Sequence, residues 1–398
     1  MRTPANFSIV TLVSARLPTS LVPTRDMILV LTQNFPPRIG GIEGYIGQLV
    51  DALSARGERV IVFADANRGS QAYDSKLENV DVQRFAGPRP VRRLSKAWAA
   101  HRLLATASCR GIFCDSWKSI DLLPHQRVPV VVLAHGNEYL GGGWRRKWRI
   151  SRALKKVDGV LANSRYTASL VRPYAHPALA VNVLHPPIEA LPDPEPEALA
   201  RLAGLIGSGR PLLAGLGRLE PRKGFDMVIA ALPGLRQRFP GLTLAIAGDG
   251  PDRTRLMQLA QDKGVGDCVI FLGRVDKAMR TALLSSADLF VMPARRAGLS
   301  VEGYGIVYAE AAWYGVPSVA GAEGGGAEAV LEGETGCVVA GDDAAAVREG
   351  IERLLADDSL RRRMGDAARR RVRREGTWSA RIDGFLDALQ PPGIATQP

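Results

Sequence analysis

One stretch limits the folds open to this chain more than any other: Glu302-Gly303-Tyr304-Gly305-Ile306-Val307-Tyr308-Ala309-Glu310. The apolar run from Asp288 to Pro293 before it reads as a buried strand. Ala311 to Pro317 after it reads as a helix end leading into another strand. Strand, glycine turn and helix together are the phosphate-binding arrangement of doubly wound α/β sheets. A helix opening near Tyr304 leaves backbone N–H groups free at its tip, where the dipole favours an anion. Gly303 and Gly305 carry no side chain, so a ligand can approach the backbone closely. Helical steps of ~1.5 Å put the two carboxylates about 12 Å apart, roughly the reach of a nucleotide diphosphate-sugar from sugar to ribose. One acid would then accept sugar hydroxyls, the other ribose hydroxyls, with the diphosphate between them. Without its flanks the same pair reads as two surface glutamates on a solvated helix start.

A chain of 398 residues has room for two domains, and a hydrophobic content of 46% fits globular cores. No apolar run approaches the ~18 residues of a membrane span. The net charge of +12 points to an anionic partner: nucleic acid, an acidic substrate or an anionic membrane surface. Cys109, Cys114, Cys268 and Cys337 form no CxxC pair, and the five histidines form no HExxH. The thiols read as reduced, in a cytoplasmic protein. No Asp-x-Asp occurs, so a diphosphate site built on a carboxylate-held metal is not supported, and no metal or other cofactor is expected.

Residues 1–26 read as a disordered N-terminal extension, with the fold beginning at Met27. A first domain over 27–190 follows, carrying strands near Met27–Thr32, Arg59–Phe63, Val80–Phe85, Gly111–Asp115, Val128–Ala134, Val157–Ala162 and Ala180–Leu184. The double glycine Gly40-Gly41 opens a helix in which Ile46, Leu49, Val50 and Leu53 recur at helical spacing. Arg92, Arg93 and Lys96 belong to a basic amphipathic helix. His135-Gly136-Asn137-Glu138 sits at the carboxyl end of a strand, where ligand crevices form. Asn163-Ser164 caps a helix starting near Arg165. In the helix from Trp144 to Lys156, Trp148 shares a face with Trp144 and cations surround them. That pattern reads either as a solvated helix packing its tryptophans or as adhesion to an anionic membrane surface.

The proline-rich acidic run that opens 191–210 makes that stretch a stiff linker. A second domain over 211–375 restarts with Leu212–Gly217 and the turn Arg218-Leu219-Glu220-Pro221-Arg222-Lys223-Gly224. Arg218 and Lys223 could neutralise charge on a departing diphosphate, whereas Arg222 reads as an exposed cation without a role. Gly321 to Glu328 reads as a mobile glycine-rich turn. The runs Arg361–Arg363 and Arg369–Arg371 read as a solvated basic helix face, with no nucleic-acid binding expected. Residues 376–398 form a C-terminal helix and tail.

The stretch Glu302 to Glu310, with Met292-Pro293 before it, resembles the signature of the retaining GT-B glycosyltransferases of family four. It is most similar in pattern to the phosphatidylinositol mannosyltransferase-like members, and the resemblance covers most of Met27 to Trp378. It implies a GT-B fold, two doubly wound Rossmann-like domains facing across a cleft, with the C-terminal helix crossing back onto the first. It implies a donor nucleotide-sugar in the second domain and a glycan or glycolipid acceptor in the first. The implied catalytic residues are Glu302, His135, Arg218 and Lys223. The implied donor-binding residues are Gly40, Gly41, Val275, Gly303, Tyr304, Gly305, Ile306, Val307 and Glu310, with the base near Val275. The donor it favours is GDP-mannose over a UDP-sugar, at the cytoplasmic face of the membrane. Two other readings stay open: a nucleotide-sugar epimerase on the same architecture, and a non-catalytic basic adaptor binding membrane or RNA.

Overall fold

The computed structural model describes residues 26–390; all but the last residue of the expected N-terminal extension lies outside them. Seven strands form the first sheet: β1 (Met27–Leu31), β2 (Val60–Asp65), β3 (Val80–Phe85), β4 (Cys109–Cys114), β5 (Val130–Ala134), β6 (Gly159–Ala162) and β7 (Ala180–Val183). Six form the second: β8 (Leu212–Leu216), β9 (Thr243–Ala247), β10 (Val269–Gly273), β11 (Leu289–Met292), β12 (Ser318–Gly321) and β13 (Gly336–Val339). All pairings within the sheets are parallel, in the orders β3-β2-β1-β4-β5-β6-β7 and β10-β9-β8-β11-β12-β13.

The central strands are continuous apolar runs, and every residue of β1, β5, β8, β9 and β11 is buried. Strands covered by helices on both faces need such runs rather than alternation. In each sheet the order reverses beside the first strand, at β1/β4 and at β8/β11. Those switch points open crevices at the carboxyl ends of the strands. Gln33, Asp115 and His135 stand at the carboxyl ends of β1, β4 and β5, and Arg218 and Pro293 at those of β8 and β11.

The stretch expected as a linker over 191–210 is only partly extended. Pro196–Ile206 is a helix, and its Ala198, Leu202 and Ile206, four apart, join the core of the second sheet. The preceding extended part is tethered to the helix Ile306–Trp313, whose Trp313 Nε1 donates to the Leu191 carbonyl at 3.0 Å. The chain crosses back near Gly376: Ile188 N donates to the Gly376 carbonyl at 2.8 Å. The helix Trp378–Asp387 then buries Trp378, Ile382, Phe385 and Leu386 among residues of β1, β2 and the helix Gly41–Ala55. Trp378 Nε1 donates to Gln48 at 3.0 Å.

Candidate active site

The Glu302–Glu310 stretch is shaped by its glycines. The helix begins at Ile306 rather than near Tyr304, because Gly305 is left-handed (φ 85°) and turns the chain before any helical bond forms. The first bond of that turn runs from Tyr308 N to the Gly305 carbonyl, so the N–H groups of Ile306 and Val307 lie ahead of it at the tip. The Tyr308 hydroxyl donates to the Met292 carbonyl, fixing the helix to the end of β11.

Glu302 lies at the entrance to this turn. Its Oε2 accepts from Lys223 Nζ and, at 2.7 Å, from Arg222 Nη1. Burial alone would raise the Glu302 carboxyl, but the charges and hydrogen bonds of Lys223 and Arg222 outweigh it and hold the group below the usual value. Both cations come from the turn Pro221–Lys223, after β8. Arg222 therefore overturns its reading as a bystander: its side chain is 16% exposed and bridges Glu302 and Glu220. Its neighbour Pro221 starts the turn and aims consecutive residues 222 and 223 at one carboxylate. Arg218 is placed otherwise. It is 69% exposed and reaches Glu220 at 3.2 Å, which in turn pairs with Arg222 rather than with Glu302.

Glu310 is buried in the second turn of the same helix and pairs with Arg280, a residue the sequence did not single out. Burial pushes its carboxyl up, with Arg280 acting against the rise. Arg280 lies on the helix Lys277–Ser286, one turn beyond half-buried Val275. Val275 lies in the loop following β10, five positions before Arg280.

The first sheet meets this stretch directly. A Cβ on Gly303 would stand 2.2 Å from the His135 carbonyl oxygen and 2.9 Å from Asn163 Nδ2. Asn137 Oδ1 accepts from Val301 N at 3.1 Å. The His135 ring is held by its own half: Nε2 lies 3.1 Å from the Asp115 carbonyl, and Tyr45 packs edge-on at 5.7 Å. Glu138 accepts from His135 N at 2.6 Å, which makes it a local staple of this turn. Gly40 is extended and caps the helix that Gly41 begins; a Cβ on Gly40 would strike the Glu43 carboxylate at 2.1 Å, while Gly41 has open space.

The turn read as mobile is the second bridge between the halves. Gly326–Ala329 is helical, and buried Glu328 accepts from Arg165 N at 2.8 Å, Tyr166 N at 3.0 Å and His185 Nε2 at 3.1 Å. Burial would raise its carboxyl, but these bonds, His185 foremost, hold it low. His185 also stacks on Tyr304 at 5.0 Å, so that ring faces the crossover segment. Arg371, read as part of a solvated basic face, instead donates to the Ala329 and Glu328 carbonyls at 2.8 and 3.1 Å. Nothing in the sequence flagged Glu328 beyond its glycine-rich surroundings, since its partners lie more than 140 positions away.

Among the described residues no group of three or more His, Cys, Asp or Glu is placed to hold a metal, and no helix is long and apolar enough to cross a membrane.

Two parallel-sheet domains, with a carboxylate gripped by two cations at a helix tip where they meet, define a GT-B type of protein. Residues 200–371 match the family model described as "Glycosyl transferases group 1", and 39–190 match "Glycosyltransferase Family 4". A GDP-mannose-dependent alpha-(1-6)-phosphatidylinositol monomannoside mannosyltransferase of Mycolicibacterium smegmatis is 36% identical over 371 residues, spanning 89% of this chain and 96% of that protein. A Corynebacterium glutamicum mannosyltransferase specific in name for the monoacylated form is 32% identical, spanning 91% and 97%. Among solved structures, sucrose-phosphate synthase of Thermosynechococcus elongatus superimposes with a TM-score of 0.73 at 23% identity, covering 91% of this chain and 98% of that one. Anabaena HepE in complex with UDP gives 0.74 at 19%, covering 91% and 99%. These likenesses establish the fold. The chain belongs to the family-four GT-B glycosyltransferases and is a nucleotide-sugar-dependent glycosyltransferase.

Proposed function

We propose that this enzyme transfers mannose from GDP-mannose to a lipid-linked glycan acceptor, with retention of anomeric configuration. The observation that carries the reading is the grip of Arg222 and Lys223 on Glu302 at a helix tip. The two cations neutralise the acid. An arriving diphosphate would compete for them and free the carboxylate to accept sugar hydroxyls. Arg222 and Lys223 then stabilise charge on the departing diphosphate, aided by the N–H groups of Ile306 and Val307. Exposed Arg218 would meet the diphosphate from the mouth of the site. Glu310 receives the ribose once Arg280 shifts, and the base lies by Val275. Gly303, Gly305 and buried Tyr304 set the backbone approach, and Gly40 and Gly41 line the facing loop.

The acceptor hydroxyl attacks the anomeric carbon on the face from which the diphosphate departs. The carbon–oxygen bond to phosphate breaks as the new one forms, and the hydroxyl proton passes to the leaving phosphate oxygen. His135 shapes the sugar pocket, its ring set by the Asp115 carbonyl. The names of the relatives support GDP-mannose and an inositol-phospholipid acceptor. Exposed Trp144 and Trp148, with the cations around them, support attachment at the cytoplasmic membrane surface.

The test is a donor screen with phosphatidylinositol mannoside vesicles, followed by proton NMR of the product. Transfer from GDP-mannose giving an α-linked product is expected. A β-linked product, or transfer from UDP-sugars alone, would defeat the proposal; isomerised donor without transfer would favour an epimerase.

A further inference from the structure

Arg222 and Lys223 meet one carboxylate because the turn that carries them is held still, and the grip on that turn lies outside it. Asp226, the second residue of the helix Phe225–Arg238, is buried just beyond the turn. Arg295, past the end of β11, sets its guanidinium fork on both carboxylate oxygens: Nη1 donates to Oδ1 at 2.8 Å and Nη2 to Oδ2 at 2.7 Å. The Arg295 N–H also donates to the Arg222 carbonyl at 2.9 Å. One residue of the segment leading to Glu302 thus holds the cation turn twice, by main chain at Arg222 and by side chain at Asp226. Two-point pairing of a planar fork fixes orientation as well as distance. Burial alone would raise the Asp226 carboxyl, but Arg295 and Arg255 outweigh it and hold it below the ordinary value.

The segment that carries Arg295 is itself fixed. Gly224 closes the turn in a left-handed conformation (φ 75°) and lies so close to β11 that a Cβ there would strike the Pro293 carbonyl. A Cβ on Gly321 would strike the Ala294 carbonyl in the same way. Arg295 Nη1 also reaches the Gly341 carbonyl at 3.3 Å. The Lys223 chain runs beside Gly217, its Cε 3.4 Å from where a Cβ would stand. Arg255 provides a contrast. It donates to Asp226 Oδ2 at 3.1 Å, but its side chain is 49% exposed against 14% for Arg295, and its other partner, Asp252, lies outside the turn.

We infer that Asp226 and Arg295 are positioning residues for the transfer reaction: their pair locks the Pro221–Gly224 turn to the end of β11, so that Arg222 and Lys223 stay aimed at the place of the diphosphate. The inference rests on the reading above, that these two cations hold the donor diphosphate. The pair touches no substrate and acts through geometry alone. Misplacing such groups by about 1 Å can cost about 10²-fold in rate.

The test titrates GDP, UDP, GMP and UMP calorimetrically into the full-length enzyme, as wild type, Arg295→Gln, Arg295→Lys, Arg255→Gln and Lys223→Met. The readout is the affinity ratio of the nucleoside diphosphate that wild type binds to its monophosphate, which a loss of stability alone leaves unchanged. Arg295→Gln should lower that ratio about tenfold, as weakening of a charge-assisted phosphate contact requires, with kcat/KM falling about 10²-fold. Arg295→Lys keeps the charge without the fork; it should melt like wild type and give an intermediate ratio. Arg255→Gln should keep the wild-type ratio. An unchanged ratio in both Arg295 variants, or an equal drop in Arg255→Gln, would overturn the inference. If Lys223→Met lowers the ratio and the Arg295 variants do not, this inference alone fails. If Lys223→Met leaves the ratio intact, the reading of the cations fails and this inference falls with it.

Discussion

Gly303→Ala perturbs the tightest backbone contact between the two domains. The added carbon would stand 2.2 Å from the His135 carbonyl oxygen, whereas such contacts settle near ~3.3 Å. About 1 Å more room is therefore needed. Neither side yields easily within its own half. The His135 carbonyl ends a buried strand, and Glu302, next to the glycine, is pinned by its carbonyl accepting from Gly325 N at 2.9 Å. Overpacking of this kind costs about 1–3 kcal/mol. Parting the domains relieves it without disturbing either core, so the cost falls on the closed state. That shifts the open–closed balance by about 5- to 150-fold, and kcat/KM should drop by a similar factor. Solution scattering should show a larger radius of gyration, and the melting temperature should move by only about 2–4 °C. Full activity with unchanged dimensions would refute the reasoning. So would collapse of the melting temperature, which would place the strain inside one domain.

Glu302→Gln should cut transfer about 10²- to 10³-fold at unchanged donor specificity, measured as initial rates with each nucleotide-sugar. Glu328→Gln should loosen the second bridge, since hydrogen bonds to a charged group are worth about 1.5–3 kcal/mol; scattering should show expansion. Because the Glu328 carboxyl is held below its ordinary value of 4.5, its contribution is complete above that pH and is lost as pH falls through the lowered folded-state value. Wild type should therefore stay compact down to about pH 4.5 and expand only below it, a transition absent from Glu328→Gln. Replacing exposed Arg145 and Lys147 by Gln should weaken sedimentation with anionic vesicles by about 2 kcal/mol, roughly 30-fold, with no change on neutral vesicles.

The fold was legible because its strands are continuous apolar runs and its turns carry glycine, both local signals. The strands read at Met27–Thr32 and Val128–Ala134 correspond to β1 and β5, and Ser164 caps its helix by accepting from Thr167 N at 3.0 Å. The helix Pro196–Ile206 was hidden by the prolines before it, which mark a linker as readily as a helix start. In the site, the Glu302–Glu310 stretch stood out because glycine, acid and helix periodicity coincide within nine residues. What stayed hidden depends on partners distant in sequence. Arg222 and Lys223 are adjacent and chemically alike, and only the turn that starts at Pro221 shows that both reach Glu302. Arg218 reads, with Lys223, as a diphosphate cation at a strand end, yet its side chain turns outward to Glu220. Arg280 and Glu328 carry no local motif; their roles arise from one pairing thirty positions away and one across the cleft.

The most direct measurement is a calorimetric titration of GDP into wild type and Lys223→Met. Saturable binding by wild type, weakened at least about tenfold in the variant at an unchanged fold, as loss of one charge-assisted phosphate contact requires, is the expected result. Equal affinity in the two proteins would mean that the Glu302–Arg222–Lys223 cluster does not hold the nucleotide diphosphate.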